Sequence, residues 1–341
     1  MHILLIKMSS MGDLIHTLPA LTDALQAIPG ITIDWVVEPA FSDIPVWHPA
    51  VKTVISLPLR RWKKNIFSRQ TLTEAKIFYQ QLREKKYDLI IDAQGLLKSM
   101  IIAKCARGKS VGYDKQSARE WLASFGYQQK YCVSKQQHAV NRIRELFSKA
   151  LHYVLPTTTA DFHIDHTKLP SLHFQLPEKY FVFLHGTTWD SKHYPEIYWQ
   201  QLIEKSGAKN IAVYLPWGND IEKQRAERLA KASPLAAVLP KLSIAQLATL
   251  LKNATQVVTV DTGLGHLSAA LNTPTLSLYG PTDPKKIGMV GKNQIHLAVK
   301  FPCAPCKSRT CFYAKRYRTD ISPTCFQTIT PDSIAVYCLP D

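Results

Sequence analysis

Residues His2 to Lys7 hold four consecutive aliphatic side chains between polar ends. So little alternation does not suit a strand with one wet face; it suits a parallel strand covered on both faces. The run empties into the polar turn Met8-Ser9-Ser10-Met11-Gly12-Asp13, and apolar residues at helical spacing come next, from about Leu14 to Ala27. The same strand–turn–helix pattern recurs. Strands are expected at Thr32–Val37, Val51–Leu57, Asp88–Asp92 and Ser110–Tyr113, with helices at Leu72–Lys85, Leu96–Ala106 and Gln136–Tyr153. A Thr-, His- and Pro-rich stretch without periodicity, 156–178, reads as a linker. The pattern then restarts, with strands expected at Tyr180–His185, Asn210–Pro216, Gln256–Val260 and Pro274–Tyr279, and helices at Glu196–Lys205, Ile221–Ala232 and Ile244–Lys252. Two successive βα runs imply an α/β protein of two doubly wound, Rossmann-like domains, 1–155 and 179–341, with ligand in the cleft at the carboxyl ends of their strands.

The length of 341 residues fits two such domains, and 46% hydrophobic with 20% charged residues excludes a disordered chain or a coiled-coil rod. No apolar stretch approaches the ~18 residues a membrane span needs, and the opening segment has no small-residue cleavage site. Seven cysteines, an odd number, do not make a disulfide framework. The expectation is a cytoplasmic protein. Of the net charge of +16, residues 51–150 carry 21 basic against 7 acidic side chains, a local +14. Such a segment attracts polyanions: nucleic acid, an anionic membrane or a phosphorylated substrate. Its densest part, Arg60-Arg61-Trp62-Lys63-Lys64, interleaves an aromatic side chain with four cations.

Four constellations carry chemistry. In Ser9-Ser10-Met11-Gly12-Asp13, the serines and the amides of a helix start can hold a polar or anionic group, and Asp13 offers an ionised carboxylate for proton acceptance. The plainer role for Asp13 is a helix cap. In Val260-Asp261-Thr262-Gly263-Leu264-Gly265-His266, a strand end meets a helix start, and both glycines are expected to let backbone N–H groups approach a diphosphate. Asp261-Thr262-Gly263 matches the aspartic-protease triplet, but that chemistry needs two such carboxylates. A dinucleotide fingerprint fits no better, for Ser268 stands where its third glycine belongs. After the strand ending at His185, the hydroxyls of Thr187 and Thr188 and the ammonium of Lys192 suit phosphate oxygens. Finally, Cys303, Cys306, Cys311 and Cys325 in a cysteine-rich tail (303–341) are spaced as a less favoured zinc set, with free thiols as the simpler reading.

Together with His16-Thr17-Leu18-Pro19-Ala20-Leu21, Asp92-Ala93-Gln94-Gly95-Leu96, Lys135-Gln136-Gln137-His138-Ala139, Leu215-Pro216-Trp217-Gly218 and Tyr279-Gly280-Pro281-Thr282-Asp283-Pro284, these segments resemble the lipopolysaccharide heptosyltransferase I family, within glycosyltransferase family 9, over nearly all of residues 1–300. The resemblance implies a GT-B fold, its two domains facing across a cleft. It implies inverting transfer of L-glycero-D-manno-heptose from ADP-L-glycero-β-D-manno-heptose to a Kdo residue of Kdo-lipid A. No cofactor or metal is required in that family, and a monomer peripheral on the cytoplasmic face of the inner membrane is expected, with no nucleic acid bound. Carried onto this sequence, the family's roles make Asp13 the general base, joined by Lys192 as a catalytic group. Lys192, Thr187, Thr188, Glu222, Asp261, Thr262, Gly263 and His266 fall to the donor; Ser10, Arg60, Arg61, Lys64, Gln94, Lys98 and Arg119 fall to the anionic acceptor. The cysteine-rich tail is more similar to second-heptose enzymes, which leaves a heptosyltransferase II-type or other ADP-sugar transferase as the alternative. A basic nucleic-acid-binding protein is the more distant one, and it leaves the glycine loops of the second half unexplained.

Overall fold

The computed structural model describes residues 1–317 and 319–339, so Arg318 and the last two residues of the expected tail, Pro340 and Asp341, lie outside the described residues. The chain divides into two units, residues 1–168 and 169–341. In the first, the strands β1 (His2–Ile6), β2 (Thr32–Val37), β3 (Val51–Ser56), β4 (Leu89–Asp92), β5 (Ser110–Tyr113) and β6 (Gln129–Tyr131) form one sheet in the order β3-β2-β1-β4-β5-β6. All its pairings are parallel. Strand β1 is central, and Ile3, Leu4, Leu5 and Ile6 are fully buried, as its unbroken apolar run requires.

The second unit repeats the plan with β7 (Tyr180–Leu184), β8 (Ala212–Leu215), β9 (Ala236–Val238), β10 (Gln256–Val260), β11 (Thr275–Tyr279) and β12 (Gln294–Ala298), ordered β12-β11-β10-β7-β8-β9. In each sheet the strand order reverses at a central pair, β1/β4 and β7/β10, and the loops leaving the carboxyl ends of such a pair are where doubly wound folds bind ligands.

Three differences from the sequence expectations have local causes. The helix expected over Leu14–Ala27 is two helices, Met11–Ile15 and Leu18–Ala27, because Pro19 has no N–H to continue the ladder. The linker expected at 156–178 is not loose chain in its first half: Phe162 and Ile164 are buried, and Asp165 N–H donates to Trp47 O at 2.9 Å. Strands β6, β9 and β12, absent from the expectations, are short or half-exposed, and two of them close the sheet edges in three residues each. Among the described residues no helix is long and apolar enough to cross a membrane.

Candidate active site

In the second unit, β7 and β10 are neighbours, so the segments after them, 185–192 and 261–266, meet. Lys192 ends a 3-10 turn, Asp190–Lys192, and its Nζ lies 2.7 Å from Asp261 Oδ2. Thr282 Oγ1 donates to the same oxygen at 2.8 Å, and His266 Nε2 stands 3.7 Å from Oδ1. Thr187 Oγ1 donates to the Asp261 carbonyl at 3.1 Å. Burial opposes ionisation of Asp261, but the His266 hydrogen bond and the Lys192 ammonium outweigh it and hold the carboxyl far below the usual carboxylate range. Lys192 also sits 4.6 Å from the Trp189 ring centre. The result is a mostly buried cation fixed beside the start of the helix Gly263–Ala270, whose N-cap is Thr262. Such a helix start favours anions.

Thr188 is exposed on the same loop. Glu222 lies in the first turn of the helix Asp220–Ala230, and its carboxylate turns back to accept from Gly218 N–H at 2.7 Å. It rests against Gly186, where a Cβ would come within 2.8 Å of the carboxyl carbon and displace the Glu222 carboxylate. Gly265, expected beside the diphosphate, serves packing instead. A Cβ on it would meet Met289 Cε at 2.2 Å and Thr259 Cγ2 at 2.9 Å, so its missing side chain lets the helix press onto the sheet. The contribution of Thr282 was not legible locally, since it reaches Asp261 from the loop after a different strand, β11.

In the first unit, β1 and β4 are neighbours, and their loops bring Ser10, Asp13 and Gln94 together. Gln94 is held on both sides: its Oε1 accepts from Met8 N–H at 2.9 Å and its Nε2 donates to Ser9 O at 2.9 Å. Asp92 Oδ1 accepts from the N–H groups of Gln94 and Gly95, which shapes that turn. Gly95 has φ +68°, and a Cβ there would meet Arg119 N and the Tyr113 ring at 3.3 Å, so this turn demands glycine.

Asp13 takes the capping position weighed from the sequence and keeps an ionised, part-exposed carboxylate. Its Oδ2 caps the helix Met11–Ile15, accepting from Ser10 N–H at 2.9 Å and Ser10 Oγ–H at 3.0 Å, while Oδ1 lies 3.6 Å from Lys7 Nζ. A third of the side chain, 34%, stays exposed. Burial works against ionisation, but Lys7, the Ser10 bonds and His16 prevail and lower the carboxyl to about 2. Lys7, not anticipated from sequence, is itself buried and anchored to Ala93 O at 3.1 Å.

The cations expected on the acceptor divide. Arg60 and Lys98 gather with Lys63 around Glu38, whose carboxyl burial pushes up despite them. Arg61 is paired with Glu74 at 2.5 Å, and the Trp62 indole donates to the same oxygen at 2.8 Å while packing edge-on to Phe78. The aromatic of the basic run is therefore a packing residue. Lys64 and Arg119 are exposed. Arg60, Arg61, Trp62, Ile77 and Phe78 line a cavity of about 600 Å³.

Among the described residues no three His, Cys, Asp or Glu side chains are grouped to hold a metal ion. Cys303 and Cys306 are exposed and Cys311 is half-buried; Cys325 is in the core, its thiol pushed up to about 12 chiefly by burial and further by Cys311, Cys303 and Cys306 nearby. The cysteine-rich tail braces the Lys192 turn, where Ser191 N–H donates to Arg309 O at 3.1 Å, and also the loop after β11, where Lys307 N–H donates to Pro281 O at 2.8 Å.

With the sites of the two units described, sequence comparison places the chain. The model of glycosyltransferase family 9 (heptosyltransferase) matches residues 76–316. The chain belongs to glycosyltransferase family 9. It is 50% identical over 344 residues to lipopolysaccharide heptosyltransferase 1 of Pseudomonas aeruginosa, covering 98% of this chain and 96% of that one. The solved structure of E. coli heptosyltransferase WaaC with ADP matches at TM-score 0.86 and 45% identity, over 99% of this chain and 98% of that one. The same enzyme with ADP-2-deoxy-2-fluoro heptose matches at 0.83 and 44%, again over 99% and 98%. This family-9 protein is thus an enzyme, a heptosyltransferase of the lipopolysaccharide heptosyltransferase 1 kind, and its two Rossmann-like units are those of a GT-B glycosyltransferase.

Proposed function

We propose that this heptosyltransferase moves L-glycero-D-manno-heptose from ADP-L-glycero-β-D-manno-heptose to a Kdo residue of Kdo-lipid A, inverting the anomeric centre, and works as a monomer peripheral on the cytoplasmic face of the inner membrane. The observation that carries the reading is the ionised Lys192–Asp261 pair at a helix start. An ammonium has three protons, and Asp261 accepts one. The others serve the donor diphosphate, joined by the Thr187 and Thr188 hydroxyls and the amides after Thr262. Glu222 takes the adenosine ribose, and His266 with Asp261 keeps Lys192 in register.

In the first unit Asp13, ionised and part-exposed, takes the proton of the acceptor hydroxyl as its oxygen bonds to the anomeric carbon. The bond from that carbon to the ADP oxygen breaks in the same displacement, and Lys192 meets the charge that grows there. Ser10 and Gln94 orient the acceptor, and Arg60, Arg61, Lys64, Lys98 and Arg119 meet its carboxylates and phosphates. Mass spectrometry of products from ADP-heptose and defined Kdo acceptors tests the reading. A gain of one heptose on the Kdo acceptor is expected; transfer only to an acceptor that already carries heptose would contradict it.

A further inference from the structure

The first unit leaves its apolar side chains in solvent in one region. Of the nineteen large hydrophobic residues exposed among the described residues, ten fall within 66–125. They belong to one layer. The chain leaves β1 toward β3, then returns to β4 on the other side, and right-handed crossovers put the helices beyond β3 on the face opposite the helix Leu18–Ala27. On that face the helix Arg69–Glu84 packs on the helix Leu97–Cys105, which packs on the 3-10 segment Trp121–Gly126, while Leu18–Ala27 packs on Ala139–Leu151. Each element of the layer shows an apolar residue to water: Phe67, just before the first, is 92% exposed, Ile101 57% and Phe125 63%.

Soluble surfaces rarely leave such residues clustered, and a contiguous apolar patch marks a partner. Charge says which. The layer itself carries Arg69, Lys76, Arg83, Lys98 and Lys104 against Glu74 and Glu84, and two lysines flanking it stand over its aromatics, Lys115 5.4 Å from the Trp121 ring centre and Lys130 5.9 Å from that of Phe125. Exposed Phe and Trp among Lys and Arg is the composition that seats in the headgroup region of an anionic bilayer. A protein partner for such a face would need a matching acidic apolar surface; an anionic bilayer supplies both features everywhere.

We infer that the layer formed by 66–84, 97–105 and 121–126 is a membrane-docking face that inserts Ile66, Phe67, Ile101 and Phe125 into a bilayer rich in anionic lipid. The inference rests on the peripheral location in the proposed function and names the surface that produces it. Ile77, on the same helix, also lines the cavity beside Arg60 and Arg61, so docking on this face puts the acceptor cations at the lipid surface.

The test is co-sedimentation of the full chain with phosphatidylcholine vesicles, with and without about a third phosphatidylglycerol, alongside heptose transfer to a fully deacylated, water-soluble Kdo acceptor. Wild type is expected on the anionic vesicles, less so at high salt. Ile66→Ser with Phe67→Ser, and separately Phe125→Ser, should each lower the partition coefficient about tenfold while turnover of the soluble acceptor stays within twofold. Equal partitioning of both variants and wild type would overturn the inference, as would binding to neutral vesicles alone. A dimeric wild type with monomeric variants by sedimentation velocity would overturn it in favour of a self-interface. Failure of wild type to glycosylate the soluble acceptor would sink the proposed reaction and leave the docking result standing.

Discussion

Replacing Lys192 with Met removes one member of an ion pair whose side chains are 14% and 5% exposed, at 2.7 Å. The Asp261 carboxylate then stays buried without its cation, and breaking such a pair costs about 3–5 kcal/mol. Thr282 and His266 remain beside the carboxylate, which puts the expected loss at the lower end, about 3 kcal/mol. For a unit of this size that lowers the melting midpoint by about 6–12 °C. Adding Asp261→Asn removes the stranded charge, so the double variant should recover most of the stability. It should not recover ADP binding, because the ammonium proposed to meet the diphosphate is still missing. Scanning calorimetry and ADP titration on wild type, the single variant and the double variant read both quantities. A single variant as stable as wild type would show that the pair is not formed in solution. A double variant that regained ADP affinity would remove Lys192 from the donor site.

The charges make three further predictions. Asp13, lowered to about 2, loses its charge only as pH falls through that value, so kcat/KM should show no acid limb from it between about pH 5 and 8; an acid limb near pH 5 to 6 that moves in Asp13→Glu would contradict this. His48 is fully buried between Thr22 Oγ1 and Ala50 N–H, and burial above all lowers it from 6.5 to about 3. Below pH 6.5 the unfolded chain binds a proton that the folded one refuses, so stability drains away as pH falls toward 3, by about 1.4 kcal/mol per unit. His48→Asn keeps the Ala50 bond and should shrink the stability gap between pH 7 and pH 5 by about 2 kcal/mol in urea titrations; an unchanged gap would refute the assignment. Neutralising Arg60, Arg61 and Lys64 together should raise the acceptor KM in a salt-sensitive way and leave ADP affinity within twofold; lost ADP binding would contradict the division of roles.

How much of this was legible in the sequence depends on how local the cause is. The central strands announce themselves because strands buried on both faces must be apolar throughout, as Ile3 to Ile6 and Tyr180 to Leu184 are. Edge strands carry no such requirement, and Gln129–Tyr131 pairs by position rather than by pattern. Asp261 stands out because it directly follows a buried strand, and Asp13 and Lys192 because they lie in the polar segments that leave β1 and β7. Thr282 and Lys7 do not: each acts on a carboxylate reached only through the fold. Gly265 was misread because a glycine at a helix start looks the same from sequence whether it clears room for a ligand or for Met289. The tail cysteines are close enough to act on one another, Cys303, Cys306 and Cys311 each adding to the upward shift of the Cys325 thiol, which spacing alone does not tell.

The central claim is that the first unit supplies the base and the second holds the donor. It is tested most directly by single-turnover kinetics and ADP-heptose titration on Asp13→Asn. Asn retains an acceptor oxygen for the Ser10 cap, so the cap is kept while the carboxylate proposed as the base is lost. The rate of heptose transfer should fall by about 10² to 10⁴ with donor affinity within twofold. Near-normal turnover would reduce Asp13 to a helix cap, and a loss confined to donor affinity would move it out of the chemistry altogether.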